Sequence, residues 1–311
     1  METQLVLEKW PGEISTVIIG AKKEDGGSRS NIVNIGGQKS LPLLFKEGEI
    51  PNKPKIAFEI WDIPPVDWQD EIVSAYGKSV NDPFAWAEKC VNEFKAELLC
   101  VKMQGAHPDF GDKGPGASAK FISALLSRVG VPLVIIGSDD DTKDNLIMPA
   151  VSEAAKKERC LIGSALQDNY KTLTASALAD SHSIIASSPI DINIAKQLNI
   201  LISDMGLAFE RIVMDPTIGA LGYGLEYAYS IMERARLAAL SGDKTLASPF
   251  ICFVGQESWK TKEAKASAKQ GIIWETITAS SLIQSGADLL VMRHPKAVEK
   301  VNNFIETLYR K

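Results

Sequence analysis

Along the chain, short apolar runs rich in β-branched residues alternate with longer stretches in which apolar positions recur at helical spacing. The short runs are Lys55–Trp61, Glu97–Gln104, Pro132–Gly137, Cys160–Ser164, Ser183–Ser187, Arg211–Asp215, Pro249–Gly255 and Asp288–Arg293. The stretches between and after them predict helices over Phe84–Phe94, Ala117–Val129, Lys143–Lys157, Tyr170–Ala179, Ile190–Met205, Leu225–Leu240, Lys269–Gln284 and Lys296–Tyr309. Strands that read as unbroken apolar runs are buried on both faces, which is the mark of a parallel sheet with crossover helices. Strand starts lie between 23 residues (160 to 183) and 42 residues (55 to 97) apart, the size of a βα unit. Eight such units over residues 55–311 match a closed (β/α)8 TIM barrel. An open doubly wound sheet would carry a glycine-rich turn after its first strand, and here that strand runs into Ile63-Pro64-Pro65. Gly130, Gly206, Gly242 and Gly286 each close a helix ahead of the next strand.

Residues 1–54 fall outside the eight units and form a second predicted region. Their runs Gln4–Glu8, Ser15–Gly20 and Asn31–Gly37 read as a small antiparallel β appendage, with a turn at Gly26-Gly27-Ser28. Such an appendage either plugs one barrel end or offers an edge to a partner.

Composition narrows the class. The 311 residues are 45% hydrophobic and 23% charged, ordinary for a globular chain, and the formal net charge of −5 lacks the footprint of a nucleic-acid binder. No apolar run approaches the ~18 residues that span a bilayer. Glu2, Glu8 and Glu13 are wrong for a secretory leader. A soluble cytoplasmic protein is expected, with neither membrane nor nucleic acid as partner. Cys90, Cys100, Cys160 and Cys252 never form a close pair, against a zinc ribbon or a chain-internal iron–sulfur cluster, and three of them sit in strand runs as core residues do. His107, His182 and His294 lie in separate units, so no metal site is assigned to this chain.

In a barrel of this type the chemistry sits just past the strands. Those positions hold Glu59, Asp62, Gln104, His107, Ser138, Asp139, Ser164, Asn169, Ser187, Ser188, Asp215, Thr217, Gln256, Arg293 and His294. The set is rich in amides and hydroxyls and thin in acid–base pairs, which suits holding a polar ligand better than breaking a strong bond. The densest stretch is Met214–Gly224, where Gly219, Gly222 and Gly224 follow Asp215-Pro216-Thr217 and allow close backbone approach to a ligand. Asp139–Asp144 reads as helix capping rather than a cation loop. Gly111–Ser118 is either a connection or a binding loop, and His107-Pro108 and His294-Pro295 are either ligand contacts or turn histidines. The aromatic residues Trp61, Trp68, Tyr76, Phe84 and Trp86 read as a long loop that covers the pocket or meets a protein. Lys260–Lys269 reads as the solvated start of a helix.

The run Asp215-Pro216-Thr217-x-Gly219-x-Leu221-Gly222-Tyr223-Gly224-Leu225-Glu226-Tyr227, with Phe58–Asp62 and Gly105–Asp109, closely resembles the small subunit of the corrinoid iron–sulfur protein, the delta subunit of acetyl-CoA decarbonylase/synthase. The resemblance runs the whole chain. It implies a (β/α)8 barrel in a heterodimer with a large corrinoid iron–sulfur subunit, which carries the four-iron four-sulfur cluster. A cobamide, a cobalt corrinoid, would be shared between that subunit and the top of this barrel. The pair would carry methyl from methyltetrahydrofolate, delivered by its methyltransferase, to acetyl-CoA synthase in the anaerobic Wood–Ljungdahl pathway of carbon fixation. In that reading this chain is a non-catalytic subunit, and Asp215, Thr217, Gly219, Gly222, Ser164, Asn169, Gln256 and His107 contact the cofactor. The alternative is a methyltetrahydrofolate-binding corrinoid methyltransferase. Barrels of that kind bind pterin through acidic and amide residues, and Asp215-Pro216 matches them. Gly163-Ser164 departs from their Asn-Ser, which puts independent folate chemistry in doubt.

Overall fold

The computed structural model describes residues 6–310. Two strands, β1 (Thr16–Ile19) and β2 (Val33–Gly36), pair antiparallel as a small separate sheet. Eight more follow: β3 (Lys55–Trp61), β4 (Leu99–Lys102), β5 (Leu133–Ile136), β6 (Leu161–Ala165), β7 (Ser183–Ser187), β8 (Ile212–Asp215), β9 (Phe250–Cys252) and β10 (Ala287–Met292). They are parallel and close into a barrel in chain order, β10 returning to β3 with Leu290 opposite Ile56. All eight strand runs of the sequence lie in this barrel.

The helices that follow the strands are Pro83–Asn92, Pro115–Arg128, Asp141–Ala154, Tyr170–Asp180, Ile192–Asp204, Leu225–Leu240, Ala268–Ser285 and Pro295–Leu308. Their starts follow from side-chain caps: Asp82, Asp140, Asp191 and Ser267 each accept a first-turn amide. The capping role expected of the Asp139–Asp144 run therefore falls to Asp140. Three short α-helices depart from the sequence pattern: Asp70–Tyr76 forms where a loop is expected, Val254–Ser258 where the strand's end is expected, and Lys262–Ala266 stands apart from the helix beginning at Ala268, while Gly77–Asn81 is a 3-10 turn.

Apolar residues pack in two layers. One lies between strands and helices; the other fills the barrel interior with Ala57, Cys100, Val134, Leu161, Ile185, Val213, Ile251 and Val291. Val17, Ile19, Val33 and Ile35 of the hairpin belong to this interior cluster, so β1 and β2 plug the barrel. The plug sits at the end where the strands begin. Gly20 N–H donates to the Arg159 carbonyl ahead of β6, Ser15 N–H to Ala247 ahead of β9, and Asn31 Nδ2 to Glu97 ahead of β4. Buried Arg29 fastens it, donating to the carbonyls of Leu126, Val129 and Val131 while pairing with Glu158 at 2.7 Å. The expected strand at Gln4–Glu8 lies partly outside the described residues, and Val6–Glu8 take no strand conformation.

The aromatic residues after β3 form a core rather than an exposed cover. Trp68 packs against Trp61 and Trp86, with ring centroids 5.7 and 5.1 Å apart, and Tyr76 against Trp86 at 5.3 Å, all of them buried. Phe84 faces Phe121 instead. The physical reason is the helix Asp70–Tyr76, which folds what would be a long loop back against β3. All four cysteines are buried free thiols, and burial pushes Cys160 up to about 12 and Cys90 to a still higher value.

Candidate functional site at the barrel mouth

Side chains in a strand point alternately to its two faces, so the inward set climbs the barrel in steps of two. One step above the apolar interior stand Glu59, Lys102, Ile136, Gly163, Ser187, Asp215, Phe253 and Arg293. The interior turns polar and charged at this level, where the mouth begins. The strands thus place five ionisable or hydroxyl side chains on rigid elements.

Two adjoining cavities open there. The larger, about 410 Å³, is lined by Trp61, Lys102, Gln104, His107, Gln256 and Arg293 among others. The smaller, about 150 Å³, is lined by Ser164, Asp215, Phe253, Gln256 and the carboxylates of Asp139, Asp141 and Asp144. Asp139 and Gln256 border both. The two differ in charge. Lys102, Lys260, Lys265 and Arg293 face the larger chamber against Asp67 and Asp139, whereas no basic side chain lines the smaller one.

The chambers rest on a hydrogen-bonded frame. Arg293 grips Glu59 in a two-point ion pair of 2.8 and 2.7 Å, and Trp61 Nε1 donates to the same carboxylate. Burial opposes ionisation of Glu59, but the Arg293 guanidinium outweighs it and holds the carboxyl below its usual range. Buried Glu275 accepts from the backbone N–H groups of Arg293 and His294 and from Trp259 Nε1. Burial raises it to about 7. His294 caps its helix through Nδ1, and burial pushes it down to about 4, so it is neutral near pH 7.

In the smaller chamber Asp215 Oδ2 accepts from the Ser187 hydroxyl and Oδ1 from Thr217 N–H. Burial raises Asp215 to about 6. Asp144 Oδ1 accepts both the N–H and the hydroxyl of Ser138. This fit needs Gly137, because a Cβ there would stand 2.0 Å from the Asp144 carboxylate.

Of the residues expected at the site, Ser164, Asp215 and Gln256 line the smaller chamber, and His107 and Gln256 the larger. Asn169 lies one step behind: its Oδ1 accepts Leu166 N–H and its Nδ2 donates to the Ser164 carbonyl, holding the turn after β6. Thr217, Gly219 and Gly222 line neither chamber. The Thr217 hydroxyl donates to the Ser188 carbonyl, and the glycine loop packs on the helix Ala268–Ser285, where Trp274 Nε1 donates to the Leu221 carbonyl. A Cβ on Gly219 would stand 2.3 Å from the Tyr223 carbonyl oxygen, so this glycine closes its own loop. Lys102 was overlooked by the strand-end reading. Its signal was a lysine two residues past inward-facing Cys100 in an otherwise apolar strand. His107, His182 and His294 stay apart, and among the described residues no group of three or more His, Cys, Asp or Glu is arranged to hold a metal ion.

Fold and mouth together define a (β/α)8 barrel whose open end is a divided polar chamber and whose other end is stoppered. Residues 16–309 match the family model described as CO dehydrogenase/acetyl-CoA synthase delta subunit. The chain is 36% identical over 312 residues to the acetyl-CoA decarbonylase/synthase complex subunit delta of Methanocaldococcus jannaschii, covering 98% of this chain and 76% of that protein. It is likewise 36% identical to the Methanothermobacter thermautotrophicus subunit delta, covering 98% and 78%. This chain belongs to the CO dehydrogenase/acetyl-CoA synthase delta subunit family, whose members are named as parts of a multi-subunit complex. Among solved structures it resembles dihydropteroate synthase from Xanthomonas albilineans with 4-aminobenzoic acid, with a TM-score of 0.58 and 13% identity over 85% of this chain and 96% of that one. At that identity the likeness concerns the barrel fold alone. No helix among the described residues is long and apolar enough to cross a membrane.

Proposed function

We propose that this chain is the barrel subunit of a corrinoid methyl carrier. Its mouth covers a cobamide held by a large corrinoid iron–sulfur partner while methyl passes from methyltetrahydrofolate to acetyl-CoA synthase. The observation that carries the reading is the divided polar mouth in a chain of the delta family. The donor set fits a corrinoid: the rim of that macrocycle carries carboxamides, which both donate and accept, and Gln104, Gln256, Ser138 and Ser164 offer matching groups. When bound, the cobalt supplies the nucleophile that takes up and gives away the methyl group. The chain's own part is to hold the carboxamides and, with Trp61, Phe110 and Trp259, to exclude water.

A second reading, a methyltetrahydrofolate-binding corrinoid methyltransferase, is favoured by one observation. The smaller chamber surrounds its space with carboxylates and no base, and Phe253 forms one wall. Such a surface accepts hydrogen bonds from a donor-rich heterocycle.

Anaerobic isolation of the chain from its native extract, with a visible spectrum and an inventory of co-purifying proteins, tests the first reading. A corrin band with one stoichiometric cluster-bearing partner is expected. A colourless chain free of partners would overturn it. Calorimetric titration with methyltetrahydrofolate tests the second, which saturable binding lost in Asp215→Ala would support.

A further inference from the structure

The two cations in the floor of the larger chamber are paired unequally. Arg293 is neutralised by Glu59, a side chain as deeply buried as itself, and Arg236 near the base of the barrel is likewise matched by buried Asp288. Lys102 is different. It ends β4 with its side chain only 4% exposed, its Nζ lies 5.5 Å from the Trp61 ring centroid, and among the described residues its ion-pair contact is to Asp139 at 2.5 Å. The Asp139 side chain is 61% exposed. It stands on the loop after β5 in a left-handed backbone conformation, φ 73°. An interior ammonium costs several kcal/mol unless it is paired. Here the pairing is done by a solvent-facing loop group, which can give way to another anion because water receives it while the newcomer keeps the ammonium paired.

We infer that the floor of this chamber is an anion subsite. Lys102 is its anchor, and Asp139 is a resident counter-ion that a carboxylate or phosphate group of an incoming ligand displaces. Lys260 and Lys265 on the rim draw the anion in. The aromatic walls Trp61 and Trp259 keep the chamber partly dry, which strengthens the ion pair that forms. Asp139 also borders the smaller chamber, so its release delivers a carboxylate to the space next door. The inference reaches beyond the covering role: it concerns an acidic group on whatever ligand enters, and the free chain displays it without cobamide or partner.

The test is a titration of the full chain with inorganic phosphate and, separately, glutarate, at constant ionic strength, read by tryptophan emission and by calorimetry. Saturable binding of at least one is expected, and which of the two binds more tightly tells phosphate from carboxylate chemistry. Asp139→Asn removes the competitor and should tighten binding about tenfold if the resident carboxylate is docked nine-tenths of the time. Lys102→Met should abolish it, with thermal melting as the control for folding. Double replacement of Lys260 and Lys265 by Ala should leave binding saturable but weaker. Absence of saturation in both the parent chain and Asp139→Asn would overturn the inference. So would weaker binding by an Asp139→Asn variant whose thermal melting shows it folded, or unchanged binding by Lys102→Met.

Discussion

Glu59 of β3 and Arg293, just past β10, join the first and last strands of the barrel by a two-point ion pair at the seam where it closes. The pair is buried, and Arg293 also lies 4.6 Å from the Trp68 ring centroid. One contact therefore bonds the barrel shut and forms part of the floor of its mouth.

Removing one partner strands a buried charge. Glu59→Ala and Arg293→Ala should each lose about 3–5 kcal/mol. The double variant should lose less than their sum, since neither charge is left alone. Urea unfolding of the three variants measures this, and strict additivity would mean the two side chains do not act together.

Asp215 sets a pH dependence whose sign follows from its direction of shift. Its carboxyl ordinarily titrates near 3.8 and is raised to about 6 in the fold. Between these values the unfolded chain has released the proton that the folded chain keeps. Stability therefore falls as pH rises through this window and levels off above it. Two pH units correspond to about 3 kcal/mol. Asp215→Asn lacks this term, so the stability of the parent chain relative to the variant should drop by that order from pH 4 to pH 6.5. A flat difference would place the Asp215 titration below pH 4.

Arg29 holds the plug through three carbonyls and Glu158. Arg29→Ala leaves those acceptors unsatisfied in a buried setting and should cost about 3 kcal/mol. Limited proteolysis should then cut the segment before residue 55 faster than the barrel. Equal cleavage rates in parent and variant would show that apolar packing alone seats the hairpin.

Gly219 and Gly222 of the loop after β8 should respond differently. At Gly219 a Cβ meets backbone that cannot rotate away, so Gly219→Ala should cost about 1–3 kcal/mol and raise amide exchange across residues 217–224. Gly222 has a φ of +78° but open space around it, so Gly222→Ala should cost only about 1 kcal/mol, with exchange in the loop little changed. Hydrogen exchange read by mass spectrometry separates the two.

The barrel was legible in the sequence because each of its strands is apolar on both faces, as Leu289 and Val291 inward with Leu290 and Met292 outward illustrate. Short helices were not. Phe250–Val254 is one unbroken apolar run, yet the strand stops at Cys252 and a helix starts at Val254, too short to display a period. At the mouth, strand-end position alone places Asp215, Ser164, Gln256 and His107 along the chamber walls. Gly219 and Gly222 line neither chamber, and the path of the chain is reason enough for glycine at both: a tight approach to the Tyr223 carbonyl at Gly219 and a positive φ at Gly222. The division of the mouth lay beyond the sequence. It depends on the backbone turning left-handed at Asp139, so that one side chain reaches back to Lys102 across 37 residues.

The hairpin wedged among Ala57, Val134 and Val213 leaves the barrel with a single opening. A cup with a sealed base fills and drains through its lip. Whatever seats on the lip must push the contained water out past itself, so the order of events is set by plumbing: drainage ends before the seal forms. Because Ala57, Cys100, Val134 and Val213 pack the space between stopper and lip, loosening the stopper opens no second drain, and a change at Val17 or Ile35 is felt as lost stability rather than as leakage.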